Sequence, residues 1–599
     1  MSAAAAVICT ARAPAMGGRP STGAFPLHAM LRCSFVFFLL LSGKTALGGQ
    51  GVAIQSGESY TIRGTVVNSV TRVAVAHALV FSTDSRFAEL TDDEGHFEFK
   101  VPRPKDEQTT GSQTTFSTFS SAGVRTQALV SLSNVILQAR KQGYFQSPIV
   151  QPRAGREAGG SEELTIELVP EALIVGRVNL PVLDGTERIQ VQAYRRQVQE
   201  GRGQWVPAGS VMTRASGEFR FANLQQGDYK LFTTELLDRD PLTFNPRGPQ
   251  QGYPPVYYPA AGDFESAAVI HLEAGQTFSA GLTPVKRDYH TVKLGVLNAQ
   301  QGVGFRIQVE PQGHRGPGLS LGYNMDDSRI EGLLPDGSYE VEITQYGENG
   351  AAGVLNFSVN GGPVEGPAVM LAANPLIEVR LQDERTNGED NIPPGTRNLL
   401  NAMNLRLIPT DEFDSASYLR LQPSKNPDDE TLLFGRTQPG DYRVRAGCSP
   451  AGYVASVSSG GRDLLRQPLV VGIGAAVPAL EVTVRDDGAR VDGTIEDRRR
   501  PGQNEPAGNF TGNVPAVILL PLPDSKGQFC ETWMTPDGAF HFPQVAPGDY
   551  LVMAFEHLPE DLEYGSAEAI KKYESRGQVL RLEARQTEHV QLSSAGGSH

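Results

Sequence analysis

His557-Leu558-Pro559-Glu560 is the one place where this chain spaces an imidazole and a carboxylate as a catalytic zinc ion requires. Hydrolytic zinc takes three protein ligands and keeps a fourth position for water. Only His589 and His599 follow the pair, so no third ligand and no separate catalytic domain can be placed around it. There is no His-Glu-x-x-His pair and no dinucleotide-binding glycine turn, and no Gly-x-Ser-x-Gly nucleophile elbow is expected. Gly43-Lys44-Thr45 ends like a phosphate loop, but Phe38 stands where its first glycine belongs. Asp92-Asp93-Glu94-Gly95 and Asn426-Pro427-Asp428-Asp429-Glu430 gather oxygens without the alternate-residue spacing of a calcium loop. They read as solvated turns. The expectation is a protein that is not an enzyme and holds no metal or cofactor.

Aromatic residues are the remaining candidates. Trp205 and the segment Gln251–Pro259, with Tyr253, Tyr257 and Tyr258, offer faces on which sugar rings could stack. The competing reading packs them against the edge of a module. A second set of tyrosines is repeated. Gly-Asp-Tyr or Gly-Ser-Tyr occurs at Tyr229, Tyr339, Tyr442 and Tyr550, spaced roughly 100–110 residues apart, which marks an internal repeat. Each follows a turn at the head of an alternating strand. A phenol there can pack inward and bond back across the loop, as in the tyrosine corner of Ig-like sandwiches.

The elements that position these residues are strands. Around Tyr550 the chain reads D-G-A-F-H-F-P-Q-V-A-P-G-D-Y-L-V-M-A from Asp537 to Ala554: turn, alternating strand, tight turn, alternating strand. Similar hairpins lie at Ser216–Phe232, Leu333–Ile343 and Leu432–Ala446. An opening glycine recurs at Gly64, Gly176, Gly295 and Gly493, and the fourth repeat lacks it. One helix is expected within Pro559–Gly577, with Ser566 as its cap and Ile570 and Tyr573 on one face.

The first repeat carries a family likeness. Y-T-I-R-G-T-V-V-N-S-V-T at Tyr60–Thr71 is followed by A-L-V-F-S-T-D at Ala78–Asp84 and T-D-D-E-G-H-F-E-F-K at Thr91–Lys100. This order resembles the carboxypeptidase regulatory-like domain, a transthyretin-like sandwich related to collagen-adhesin B-type repeats. The likeness implies an all-β chain of tandem Ig-like or transthyretin-like modules, grouped with carbohydrate-binding-like folds. Binding of polysaccharide is then the leading expectation, with a structural or adhesive spacer of the cell envelope and an accessory protein of a peptidase system as alternatives, and polysaccharide or envelope proteins are the expected partners. One departure is a Ser/Thr/Gln-rich insert from Pro102 to Gly123, read as a mobile loop.

Five modules are expected, over residues 49–170, 171–287, 288–374, 375–487 and 488–599, strung end to end. A scaffold built this way predicts a rigid rod without a small-ligand pocket. Residues 1–48 read as a signal peptide with a doubtful extension, because the short apolar run Leu31–Leu41 precedes Ala46-Leu47-Gly48. The destination is secreted, periplasmic or cell-surface, with no transmembrane anchor after cleavage. A net charge of −14 argues against nucleic acid. Only Cys448 and Cys530 follow the signal, and they read as two lone buried thiols.

Overall fold

The computed structural model describes residues 59–593 apart from 103–113, 120–124, 131–134, 149, 151–161, 181–187, 238–249, 301, 348, 387–402, 414–417, 424–430, 496–515, 524, 536–537 and 556–561. The proposed signal peptide, the His557/Glu560 pair and the Asn426–Glu430 turn all lie outside the described residues.

One strand arrangement is used five times. The opening strand of each module is central in its sheet. It runs antiparallel to the strand that follows the turn and parallel to the strand that closes the module. Ser59–Asn68 sits in this way between His96–Pro102 and Glu162–Leu168, and Ala172–Val178 between Glu218–Leu224 and Thr277–Leu282. Arg287–Leu297, Ile377–Asp383 and Ala489–Ile495 repeat the pattern with Arg329–Pro335 and Val364–Met370, Leu432–Phe434 and Leu480–Arg485, and Ala539–Val545 and Thr587–Leu592. A second sheet faces each, and every module has its own apolar core. The fold is all-β and modular.

The opening glycine has a steric cause. Gly64, Gly176 and Gly493 lie opposite Phe97, Phe219 and Phe540 in the antiparallel register. Each ring lies across its glycine. A Cβ on Gly176 would come within 2.4 Å of the Phe219 ring and 2.1 Å of the Ala280 carbonyl on the closing strand. Gly295 faces Arg329 instead of a phenylalanine, and its nearest neighbour is Ala368 at 3.2 Å. In the fourth module Val379 pairs with Leu432, so an aliphatic pair fills the space.

The four repeated tyrosines share one hydrogen bond. The hydroxyls of Tyr229, Tyr339, Tyr442 and Tyr550 donate to the carbonyls of Gln225, Pro335, Gln438 and Ala546 at 2.7, 2.8, 2.9 and 2.6 Å, each four residues upstream. Tyr550 also accepts from the Gln528 amide at 3.1 Å. Each bond holds the entry to a strand against the turn before it, with the ring in the core.

The short helix is Ala567–Lys571, where the Ser566 side chain accepts from the Ala569 amide. It places Ile570 and Tyr573 over Ile518, Leu551, Met553 and Phe555, so the outer face of that sheet is also dry. The insert after Pro102 is not all loop, because Thr114–Phe119 and Arg125–Val130 pair as a hairpin. The Asp92 turn uses its carboxylate internally: Oδ1 accepts from the amides of Glu94 and His96 at 3.1 and 2.7 Å.

The modules are not strung end to end. The second touches the third, the fourth and the fifth, so the chain folds back upon itself. The two cysteines are not lone thiols either. Cys448 of the fourth module and Cys530 of the fifth form a disulfide across 82 residues, with Cα atoms 5.4 Å apart, a separation within the ordinary range for the bond. Both departures have the same origin: contacts between modules leave no periodic trace in a sequence.

Gly176→Ala should lower the melting transition of the second module by the equivalent of about 1–3 kcal/mol, the cost of overpacking a filled site. Gly281→Ala, on the neighbouring strand with open space around its Cβ position, should leave it unchanged. Differential scanning calorimetry of the two variants checks this. For Tyr550→Phe, the loss of two buried hydrogen bonds should cost about 1–3 kcal/mol, read as an earlier transition of the fifth module.

Candidate functional site

The second module carries a long hairpin, Gln190–Gln199 with Arg202–Met212, whose two-residue tip is Glu200-Gly201. Both tip residues have positive φ, 52° and 72°, the backbone of a tight primed turn. This tip enters a socket between the fourth and fifth modules. Glu200 meets two arginines there. Its Oε1 accepts from Arg406 at 2.6 Å, and its Oε2 accepts from Arg445. The three side chains are only 12%, 16% and 19% exposed, so water screens their charges weakly. Gly201 packs face-on against Tyr564, where a Cβ would lie 2.3 Å from the ring. The Gly565 amide donates to the Gly201 carbonyl at 2.8 Å.

Arg445 is the centre of the socket. Alternation along Gly440–Arg445 turns Tyr442 and Val444 into the core and Arg443 and Arg445 outward. Arg445 lies over the rings of Phe529 and Tyr564, 4.9 and 4.5 Å from their centroids, and those rings stack 4.0 Å apart. Burial pulls the Arg445 guanidinium below its ordinary value, and the Glu200 carboxylate acts in the other direction. Arg196 and the Gly203 amide hold Glu563 at 3.0–3.1 Å, and Arg443 donates to the Gly565 carbonyl. The disulfide follows directly on Phe529 through Cys530.

A neighbouring seam joins the second, third and fourth modules. The Trp205 amide donates to the Glu412 carbonyl at 3.0 Å, and Phe264 meets Phe413 edge-on at 5.4 Å. Arg315 of the third module reaches Asp411 at 2.5 Å, beside Glu310 and Glu342. Burial raises Glu310 above the usual carboxylate range, and Arg315 opposes that shift.

Three of the four aromatic candidates are interior. Trp205 is 7% exposed, Tyr253 2% and Tyr257 4%. Tyr257 stacks on Phe232 at 5.3 Å, and its hydroxyl donates to the Pro317 carbonyl of the third module at 2.8 Å. Lys230 lies 5.0 Å from the ring centroids of Trp205 and Phe264 and donates to two carbonyls, those of Phe264 and Glu265. Tyr253 ends the short strand Gln250–Tyr253, which pairs with the third module's opening strand. Tyr258 is half-buried against Phe278. A sugar ring would find no open face on the first three.

A cleft of about 470 Å³ opens at the socket, lined by Arg202, Thr410, Glu412, Arg443, Gln528 and Tyr564 among others. Its walls hold no nucleophile bonded to a base. The elbow spacing does occur at Gly318-Leu319-Ser320-Leu321-Gly322, contrary to expectation, but Ser320 is exposed and the strand Gly322–Asn324 follows it, where an elbow needs a helix. Among the described residues no three histidine, cysteine or acidic side chains cluster as metal ligands.

Glu200, Arg406, Arg445 and Tyr564 were not singled out by sequence. The Glu-Gly tip between two alternating strands is a legible hairpin signal. Where a hairpin docks is not.

No protein-family model matches the chain, and no curated protein matches it. Among solved structures it is similar to the TIE protein of Bacillus anthracis, at 13% identity and TM-score 0.15, covering 52% of this chain and 51% of that one. The shaft pilin SpaA of Lactobacillus rhamnosus GG matches at 11% identity and TM-score 0.16, over 38% of this chain and 97% of the pilin. A streptococcal ancillary pilin matches at 12% and 0.17, over 53% and 100%. Scores this low decide nothing about the present chain, whose fold rests on its own strands.

Glu200→Gln should destabilise the docked junction by about 3–5 kcal/mol, because two buried arginines lose their counter-charge. Hydrogen exchange at the Gly203 and Gly565 amides reads the loss locally. Protection equal to that of the parent would remove Glu200 from its central place.

Proposed function

We propose that this chain is an exported, non-enzymatic structural or adhesive protein that displays its β-sandwiches as a fixed cluster. The observation that carries the reading is the junction itself. A buried Arg–Glu–Arg group, a stacked aromatic pair and a disulfide all serve to hold three modules at set angles, and none of them converges on a reacting atom. Disulfides form and persist in oxidising compartments, so the cross-module bond supports export. Among the described residues no helix is long and apolar enough to cross a membrane.

Polysaccharide binding at Trp205, Tyr253, Tyr257 and Tyr258 has weaker support, since three of those rings are spent on packing. Trp533, 52% exposed on the strand Cys530–Trp533, is the tryptophan with an open face, and among the described residues it makes no ring pair with another aromatic side chain. The rod expected of a scaffold is replaced by a folded-back cluster, which presents several module faces in one fixed arrangement.

Thiol titration of the protein from its native source, under denaturing conditions, should find Cys448 and Cys530 oxidised. Small-angle scattering should give a larger radius of gyration for the Glu200→Gln, Cys448→Ser double variant than for the parent. Free thiols in the native material, or no change in radius, would overturn the fixed-cluster reading. Retention of the parent on an insoluble polysaccharide, abolished by Tyr258→Ala, would favour the binding reading instead.

A further inference from the structure

The second and third modules are joined by a shared hairpin. After the strand Gly227–Thr233 the chain forms Leu236–Leu237 and Gln250–Tyr253, which pair with each other. Gln250–Tyr253 then pairs with Arg287–Leu297, the opening strand of the third module. Leu236 packs on the second module's core, so one hairpin serves two modules. It joins them in addition to the four-residue link from Thr277–Leu282 to Arg287–Leu297.

Glu235 begins this hairpin, and its carboxylate points into the seam. Its Oε2 is shut off from solvent without an aligned hydrogen bond, and so is the hydroxyl of Tyr289, the residue it faces on the third module's strand. The Tyr289 ring is 1% exposed and lies against Gly252 of the hairpin. Other charged and titratable groups stand around the seam. Tyr339 feels the Glu235 charge directly, and Arg287, an exposed residue, acts on both tyrosines. Asp336 lies beyond Tyr339 and is 3.4 Å from His290. No lysine or arginine forms an ion pair with Glu235 among the described residues. An ionised carboxylate without a cation is costly to bury, and taking up a proton removes that cost.

We propose that this seam is a proton-operated latch, closed while Glu235 is protonated and loosened when it ionises. Burial pushes the Glu235 carboxyl up to about 7, with Tyr289 acting the other way. The sign follows from where the proton resides. With the seam open the carboxyl titrates near its ordinary value of roughly 4.3. Between that value and about 7 the closed seam keeps a proton that the open one has lost. Closure is therefore fully favoured below this window, weakens as pH rises through it, and is level above it. The closed-to-open ratio should fall by roughly one to two orders of magnitude between pH 5 and pH 8, after allowance for the partial exposure of the group.

The test is hydrogen exchange on the full chain from pH 5 to pH 8, corrected for intrinsic rates. Protection at Gln250–Tyr253 and Arg287–Leu297 should drop at least tenfold in the parent, while Ile377–Asp383 in the fourth module stays constant. Glu235→Gln, neutral and of the same shape, should hold the seam protected and flat across the range. Tyr289→Phe removes the group that favours the charged form, so it should move the midpoint upward. A flat parent profile, the parent's pH dependence persisting in Glu235→Gln, or an unmoved midpoint in Tyr289→Phe would each overturn the latch.

Discussion

Glu200 is the counter-charge of two arginines that belong to another module, and the positions of three modules depend on it. Arg406 and Arg445 project from neighbouring strands of the fourth module, and neither could be this dry beside the other without an anion between them. The anion comes from a hairpin tip nearly two hundred and fifty residues earlier than Arg445. Such a group adds little net stability compared with an apolar filling, since desolvation offsets most of the attraction. What it adds is selectivity: a docking angle that separated the three charges would leave an unpaired ion in the interior.

Inside each module the organising element is the opening strand, held antiparallel on one side and parallel on the other. In three modules the glycine in that strand lets a phenylalanine ring lie across the sheet, and in four a tyrosine bond pins a strand to its turn. These devices are local, so they repeat wherever the local sequence repeats. The module-to-module contacts do not repeat. The Glu200 socket, the Tyr257–Pro317 bond and the shared Gln250–Tyr253 hairpin each occur once.

That division explains what could be read from the chain before folding. The all-β character, the hairpins around Tyr229, Tyr339, Tyr442 and Tyr550, and the helix capped by Ser566 follow from short-range periods and turn residues. Trp205 and Tyr257 look like a ligand platform in sequence because Phe264, which covers Trp205, and Pro317, which binds Tyr257, lie far along the chain from them. Only the folded arrangement shows that the rings are covered. Cys448 and Cys530 are a similar case, since pairing depends on two modules meeting edge to edge. Arg445 carries no signal at all, for one arginine in an alternating strand normally faces water.

The Cys448–Cys530 bond has a mechanical consequence. It makes a covalent short-cut past 82 residues, and these include Leu469–Val471, Leu480–Arg485 and Ala489–Ile495. Tension applied at the two ends of the chain would pass from one sulfur to the other and leave those strands slack. About 280 Å of contour, at roughly 3.4 Å per extended residue, stays hidden until the bond is reduced. The fourth and fifth modules would thus share a safeguarded segment under load, while the modules before them contain no cysteine to form such a bond.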